Sequence, residues 1–506
     1  MKKIIIGLLS VVLLHSCQDQ FLDETPDNRV EINSLDKAAE VLVKAYPEGS
    51  RSFTDMMSDN ATIISGYTIN SFQKALYYWE PEVPGDVNQQ DTPQYYWQNA
   101  YYAIAHANEV LAIIDQLPGD EAKREAIRGE ALLCRAYAHF MLVNIFAKHY
   151  DSATAASDLG VTYMFKPETE ISPSYSRNTV KEVYDWVEKD MLEGLSKVSD
   201  LYYKDSGKYH FNTRAANAFA TRFYLYKGDY AKAEQYASAV LGSSPDSFIR
   251  DWDEIATAGS SYDAYSLAFL EPSDKSNLML TRLESLLIYN KFEGRGYHFS
   301  TNLLVDSYIL NLNDYSIFED KRSLFFGSIT TSMVVLPKFY DGFKVTNPSS
   351  GIGYPYTVTA EFRGEELVLS RAEARFQQGN ITGAESDVKS LITKRYSADY
   401  QFDYWLDYYT NTKSLSHNDA IWAMIMQQRR VEFIDEGLRL FDVKRLKLPI
   451  NHATVFGDLS SQTISLSAND SRKVVQVPSF AIVFGNEPNV YPKSGSKQSN
   501  KQPIKK

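Results

Sequence analysis

Few side chains in this 506-residue sequence have the spacing that catalysis or metal binding requires. It contains no His-Glu-x-x-His pattern, no close cysteine pair, no glycine-rich phosphate loop and no Gly-x-Ser-x-Gly elbow. Asp251, Asp253 and Glu254 are close in sequence, but acidic clusters are common in acidic chains, and glycoside hydrolysis needs a defined separation in space. We therefore expect a protein that is not an enzyme and uses no cofactor. Whether it binds a metal is left open.

The aromatic segment Tyr77-Tyr78-Trp79 has the chemistry of a sugar site. Neutral sugars present hydroxyls and apolar C–H faces, so they need an exposed aromatic ring beside polar groups. The segment leads into residues 80–91, a stretch of Pro, Gly, Asn, Gln and Asp. A Trp that precedes such a loop is less easily buried than one inside a helix. Trp79, Tyr77 and Tyr78 are therefore ligand-binding candidates, with burial of Trp79 in the core as the alternative.

A second candidate site lies in residues 289–298. There, Arg295 stands between two glycines and is followed closely by Tyr297 and His298. Loops on a persistent scaffold commonly carry function, because they vary while the scaffold is kept. We expect these three side chains to reach a ligand.

The composition is that of a globular protein and disfavours nucleic acid as a partner. Hydrophobic residues make up 44% and charged residues 23%, with 25 Gly and 18 Pro, which excludes a disordered or collagen-like chain. The 64 acidic residues outnumber the 52 basic ones, and the formal net charge is −12. Binding to nucleic acid depends on clustered Lys and Arg, so we expect no such partner.

The first residues predict an exported lipoprotein. Two lysines precede an apolar run that ends at Leu14 and is shorter than the ~20 residues of a membrane span. Leu14-His15-Ser16-Cys17 then resembles a bacterial lipobox, with His15 departing from the usual residue. We predict a signal peptide over residues 1–16, lipidation of Cys17 and a polar tether over 17–34.

Helical periodicity dominates the rest of the chain. Apolar residues recur at helical spacing over seven stretches, which are 35–46, 95–116, 120–150, 179–198, 213–241, 362–396 and 418–445. Turns typical of tetratricopeptide helix pairs occur at Gly228–Ala233 and Gly379–Ala384. We predict a mostly α-helical protein with one domain over 35–492. It comprises a helix-pair scaffold (35–241 and 362–448) and a loop-rich insertion (242–361), and a basic disordered tail (493–506) follows it.

Four stretches resemble the SusD/RagB-like surface lipoproteins of nutrient uptake in Bacteroidetes. They follow the family's order and are Trp97 to Asn108, Gly129 to Phe140, Arg363 to Ala374 and Arg429 to Arg445. The last stretch matches the family's "ERR.EF" motif, except that Gln428 replaces its first Glu. Because Arg429, Glu432 and Glu436 have i,i+3 and i,i+4 spacing, we interpret these charges as a structural ion network rather than a catalytic site.

The resemblance implies a SusD-like fold and a lipid-anchored protein exposed on the outer membrane. Such a protein would capture an oligosaccharide and pass it to a SusC-like TonB-dependent transporter. A RagB-like protein, whose cargo is peptide, keeps the same fold and partner and is the first alternative. A protein-binding tetratricopeptide scaffold is the second alternative, and a surface glycosidase is the least favoured.

Overall fold

The structure is a computed structural model in which helices predominate. It describes residues 32–63, 69–170, 173–203, 207–289, 297–299, 320–322, 326–328, 333–454 and 462–491. The predicted signal peptide, Cys17 and the predicted tail therefore lie outside the described residues. The helices that precede the predicted insertion are α1 (Leu35–Leu42), α2 (Phe53–Met56), α3 (Ser71–Tyr77), α4 (Pro93–Ile113), α5 (Glu121–Phe146), α6 (Val180–Lys197), α7 (Thr213–Lys227) and α8 (Tyr230–Leu241).

The remaining helices and the strands follow in the same order. The helices are α9 (Trp252–Thr257), α10 (Tyr262–Phe269), α11 (Leu286–Tyr289), α12 (Gly364–Gln377), α13 (Ile381–Arg395), α14 (Phe402–Asp407), α15 (His417–Glu432), α16 (Arg439–Arg445) and α17 (Ser479–Val483). The strands are β1 (Ala61–Ile63), β2 (Asn277–Leu283), β3 (Tyr297–Phe299), β4 (Phe326–Ser328), β5 (Met333–Val335), β6 (Tyr340–Asn347), β7 (Ile352–Arg363), β8 (Ile450–Thr454) and β9 (Gln462–Leu466). The prediction of a mostly α-helical protein is confirmed.

Local capping signals explain where the long helices begin. The Thr92 hydroxyl accepts the backbone N–H of Tyr95 at 3.2 Å, and Pro93 occupies the first turn of α4. Thr179 and Glu182 form a reciprocal capping box at the start of α6. The starts predicted from apolar spacing, residues 95 and 179, lie within two residues of the observed ones.

Both predicted tetratricopeptide-like turns are confirmed. Gly228, with φ of 79°, separates α7 from α8, and Gly379, with φ of 80°, separates α12 from α13. Glycine adopts this left-handed backbone at little cost. Ala233 and Ala384 are fully buried where the paired helices touch. Although the two pairs are far apart in sequence, α8 packs against α12, so they form one helical layer.

The insertion has more regular structure than its Gly and Pro content predicted. Strand β7 lies at the centre of an antiparallel sheet, between β2 and β6. It leads directly into α12 at Gly364, where a Cβ atom would meet the Phe248 carbonyl oxygen at 2.1 Å. Only glycine fits this junction. The scaffold helix α12 begins two residues after the predicted boundary at residue 362.

Buried ion pairs join the helical layer to the sheet. Arg222 on α7 bonds to Glu361 at 2.9 Å and to Glu366 at 2.6 Å. Arg51 reaches the other oxygen of Glu361 at 2.6 Å. Buried charges are tolerated only when they are paired and hydrogen-bonded, so these contacts require α7, β7 and α12 to keep their relative positions.

The charged stretch of α15 is part of the same kind of network. Glu432 is buried and accepts hydrogen bonds from Arg322, Arg363 and Arg395. These partners lie on other elements, whereas the sequence analysis expected neighbours on the same helix. The structural interpretation of these charges agrees with their burial, but the pairing is between elements rather than along one helix face.

Candidate functional site

The aromatic segment singled out by the sequence closes α3 and opens an exposed loop. The N–H of Glu80 donates to the Ala75 carbonyl at 2.8 Å, and Trp79 has φ of 52°. Such a left-handed residue commonly ends a helix and reverses the chain. The chain then leaves the helix as the loop of residues 81–90, most of which are exposed.

Trp79 is buried, so the expectation that its ring is exposed is wrong. Only 4% of the residue is accessible, and its indole N–H donates to the Met57 carbonyl at 2.9 Å. The His452 ring stacks on Trp79 at 4.3 Å and on Tyr77, which is also buried, at 4.1 Å. Because the polar atom of the indole has a partner, burial costs little. Trp79 and Tyr77 therefore offer no free face to a sugar.

His452 holds this aromatic stack in place. Its two ring nitrogens lie 2.6 Å from the Ser58 carbonyl oxygen and 2.9 Å from that of Tyr77. Burial lowers the pKa of His452, while the two carbonyl contacts act in the opposite direction. The imidazole thus ties β8 to the end of α3 and to the turn after α2.

Tyr78 is the member of the aromatic segment that keeps accessible surface. It is half-buried, and its ring meets that of Tyr77 edge-on at 5.4 Å. Partial burial and the nearby carboxylate of Glu80 raise the pKa of its hydroxyl, which therefore stays protonated and can donate a hydrogen bond. In the loop that follows, the Asp86 carboxylate accepts the N–H of Asn88 at 2.7 Å.

The far end of this loop is fixed to the residues that begin α11. The buried Asp91 carboxylate accepts the N–H of Leu287 at 3.0 Å and the hydroxyl of Ser285. Ser285 and Leu287 lie at the start of α11, a few residues before the second candidate residues. The end of the loop is therefore fixed beside the start of α11.

A short antiparallel ladder joins the described end of the second segment to β1, which precedes the first segment in the chain. Tyr297 lies opposite Ile63 and His298 opposite Thr62, in the pairing of β3 with β1. Strand β1 also contacts β8, which carries His452. The structure describes only the backbone at Tyr297 and His298, and Arg295 lies outside the described residues. We call this region, from Tyr78 through β1 and β3, the loop site.

A cavity beside α4 has no signature in the sequence. It has a volume of about 270 Å³ and is lined mainly by apolar and aromatic side chains, among them Trp97, Tyr101, Met164, Phe480 and Phe484. We call it the Trp97 cavity. Trp97 and Tyr101 are visible in the sequence as a helical aromatic pair, but that spacing is equally typical of core packing. The side chains that complete the walls come from distant segments.

Among the residues that the structure describes, no group of three or more His, Cys, Asp or Glu could hold a metal ion. Within the same ranges, no helix combines the length and the apolar character of a bilayer span.

The helix pairs form one layer that is joined to an antiparallel sheet and to the loop site. The architecture is therefore that of a tetratricopeptide-like helical fold. Residues 20–225 match a family described as starch-binding and associating with the outer membrane. Residues 290–499 match the SusD family. The chain belongs to the SusD/RagB-like family.

Individual relatives have low sequence identity to this chain, but they align with most of its length. The SusD-like protein P2 of Formosa agariphila is 22% identical over 376 residues, which is 70% of this chain and 71% of the relative. A SusD superfamily protein of Bacteroides thetaiotaomicron has a TM-score of 0.66 at 19% identity, covering 90% of this chain and 100% of that one. A SusD-like carbohydrate-binding protein of Bacteroides vulgatus has a TM-score of 0.61 at 17% identity, covering 90% and 97%. These structures show that the fold is SusD-like.

Proposed function

We propose that this protein is a surface-exposed, lipid-anchored glycan-binding protein of the outer membrane that passes oligosaccharide to a SusC-like TonB-dependent transporter. The observation that carries the proposal is the partly accessible ring of Tyr78, which stands at the start of the exposed polar loop of residues 81–90. The description of the matched family as starch-binding and the carbohydrate-binding relative from Bacteroides vulgatus support the same cargo.

Within the proposed site, Tyr78 supplies the aromatic face and the loop after it supplies polar groups. A sugar ring that stacks on Tyr78 would cover the half-exposed face, while Glu80 and Asn88 offer groups for sugar hydroxyls. Arg295, Tyr297 and His298 are proposed as further contacts from the second segment. The site has no catalytic residue in this proposal, so the bound glycan leaves unchanged.

Replacing Tyr78 with Ala should weaken glycan binding about tenfold and leave folding nearly unchanged. The ring meets Tyr77 edge-on and packs against the edge of the core while it stays partly accessible, so its loss removes the stacking face at a small cost in stability. The measurement is a glycan and peptide array with the purified protein, followed by titration of the best ligand. The matched control is Tyr404→Ala, because Tyr404 also keeps accessible surface and meets another tyrosine, Tyr400, edge-on at 5.0 Å.

Equal affinity in the Tyr78 and Tyr404 variants would remove Tyr78 from the site. An array that shows peptide ligands and no glycan would instead favour the RagB-like alternative. No ligand of either class would favour the protein-binding scaffold.

The membrane anchor is a separate part of the proposal and rests on the residues around Cys17. Cys17→Ala should abolish incorporation of radiolabelled palmitate and release the protein from the membrane fraction, because the acylated thiol would be lost. Ser16→Ala, which keeps a small residue before the cysteine, is the control and should stay attached. Palmitate labelling of the Cys17 variant would contradict the anchor.

Transfer to a transporter predicts co-purification with a large β-barrel protein in mild detergent. Failure to co-purify would count against the transfer step.

A further inference from the structure

The Trp97 cavity is a second concave surface and shares no described residue with the loop site. Five of the residues that line it are aromatic, namely Trp97, Tyr101, Tyr175, Phe480 and Phe484. They belong to α4, to the segment before α6 and to α17 with the residue that follows it. Three distant parts of the sequence therefore form one largely aromatic wall.

Hydrogen bonds hold these walls in place without a ligand. The Tyr101 hydroxyl donates to the Thr162 carbonyl at 2.9 Å, which fixes α4 to the segment before α6. The Thr162 hydroxyl donates to the Asn486 side-chain oxygen at 3.1 Å, and the Tyr175 N–H donates to the Phe484 carbonyl at 2.7 Å. A pocket that is formed in advance binds its ligand without the entropic cost of ordering its walls.

The polar side chains of the lining bond mostly within the protein. Asn108 donates to the Met164 carbonyl at 3.0 Å, and its oxygen accepts from Arg135 at 2.9 Å. One Glu168 oxygen accepts two backbone N–H groups and the other accepts the Tyr175 hydroxyl. A ligand in the cavity therefore does not have to satisfy these groups.

Gln98 and Lys166 are the lining residues whose side chains keep contact with solvent. Neither side chain bonds to another residue that the structure describes, but Lys166 is exposed and Gln98 is only half-buried. Water can therefore continue to solvate both groups when the cavity is filled. The inner surface that a ligand meets is apolar.

The volume of the cavity sets the size of the ligand. It is about 270 Å³, whereas an apolar cavity of about 150 Å³ is large enough to hold one benzene ring. The space therefore suits two fused rings and is too small for an oligosaccharide. An aromatic ligand gains affinity beyond the buried area when its rings pack edge-on or offset against aromatic walls.

We propose that the Trp97 cavity is a binding site for an uncharged aromatic molecule of two fused rings. The rings pack between α4 and α17 and bury apolar surface on both partners. An ionised group on the inner part of the ligand would lose its hydration without a counter-charge, so the site selects against it. This inference goes beyond glycan binding and does not depend on it.

The test is isothermal titration calorimetry of the purified full-length protein with 2-naphthol, which is uncharged at pH 7. We expect a Kd below about 1 mM. Decahydro-2-naphthol has the same carbon skeleton and hydroxyl without aromatic rings, so it should bind about threefold to tenfold more weakly. Phenol, which has one ring and buries less apolar surface, should bind at least about tenfold more weakly.

A variant that fills the cavity assigns the binding to this site. Ala105→Leu places a larger side chain in the lining and should weaken 2-naphthol binding at least about tenfold. Ala112→Leu is the matched control on the same helix, at an exposed position outside the lining, and should have no effect.

A second variant tests the aromatic wall with little risk to folding, because Phe484 is 41% exposed. Phe484→Leu keeps an apolar side chain but removes one ring, so the preference for 2-naphthol over decahydro-2-naphthol should fall. A purely structural role of Phe484 would not change this preference. Phe343→Leu on β6 is the matched control, since Phe343 is 48% exposed and lies outside the lining.

Three results would overturn the proposal. The first is no measurable binding of 2-naphthol to the unaltered protein. The second is equal binding of 2-naphthol and decahydro-2-naphthol to that protein. The third is binding that the Ala105 and Phe484 variants leave unchanged, or binding that is lost in Tyr78→Ala, which would place the rings at the loop site. If Ala105→Leu did not fold, the Phe484 variant would decide alone.

Discussion

Replacing Glu432 with Gln should lower the free energy of unfolding by about 3–5 kcal/mol, since it would remove the carboxylate that three buried guanidinium groups share and leave only their other partners Asp320, Glu365 and Glu436 to balance them. Arg395 donates to the two carboxylate oxygens at 2.9 and 3.2 Å, and Arg363 and Arg322 donate at 3.1 and 3.2 Å. Gln preserves the shape of the side chain, so the loss reports on charge rather than on a cavity. Urea denaturation at pH 7 measures it.

The pH dependence gives this prediction a second readout. Burial by itself would raise the pKa of Glu432, but Arg395, Arg363 and Arg322 hold it well below the ordinary value. A carboxyl whose pKa is depressed by folding contributes stability above its unfolded pKa and loses it as the pH falls through the folded pKa. The difference between the native protein and the Gln variant should therefore be complete at neutral pH and shrink progressively once the pH falls below the unfolded pKa of the carboxyl.

Glu121→Gln is the matched control for the Glu432→Gln substitution. The Glu121 side chain is 73% exposed and pairs with Arg124 at the surface, so its neutralisation should change the unfolding free energy by no more than about 1 kcal/mol. If the Glu432 and Glu121 variants were equally stable, the buried network would not support the fold.

Replacing Trp79 with Ala should also cost about 3–5 kcal/mol of unfolding free energy. The substitution removes a buried indole from its stack on His452 and leaves the Met57 carbonyl without its donor. Chemical denaturation of the purified variant measures the loss. A ligand role for an exposed Trp79 would predict the reverse, a stable protein with weakened glycan binding.

Trp79→Phe separates the contribution of the hydrogen bond to Met57 from the contribution of ring packing. Phe retains a ring that can stack on His452 but cannot donate to Met57, so we expect a cost of about 1–3 kcal/mol from the unpaired carbonyl. If the Ala variant unfolded at the same denaturant concentration as the native protein, the described burial of Trp79 would be contradicted.

Much of the helical scaffold could be predicted because its signals are local. The spacing of apolar residues, the caps at Thr92 and Thr179 and the glycines at positions 228 and 379 each act within one or two helical turns. The prediction was weaker in the insertion, where β7 pairs with β2 and β6. Cross-strand pairing depends on residues that are distant in sequence, so no local periodicity predicts which strands pair.

The candidate site could be predicted only as a set of residues, not as an arrangement. The sequence identified Tyr77, Tyr78 and Trp79 as one aromatic segment, but their exposures differ because each ring meets different neighbours. Tyr78 keeps accessible surface, whereas the other two rings pack against His452. The Trp97 cavity escaped prediction for the same reason, since its walls come from segments that are far apart along the chain.

The sequence by itself determined the class of the fold, the helix pairs and the family, because periodicity, capping and ordered motifs are properties of the chain alone. The tertiary structure decided which polar groups meet. The indole of Trp79 is stably buried because the Met57 carbonyl, at the end of α2, accepts its N–H and the His452 ring, on β8, stacks on it. Glu432 likewise finds its three arginines on other elements. A buried polar group is stable only with a partner, and folding alone brings those partners together.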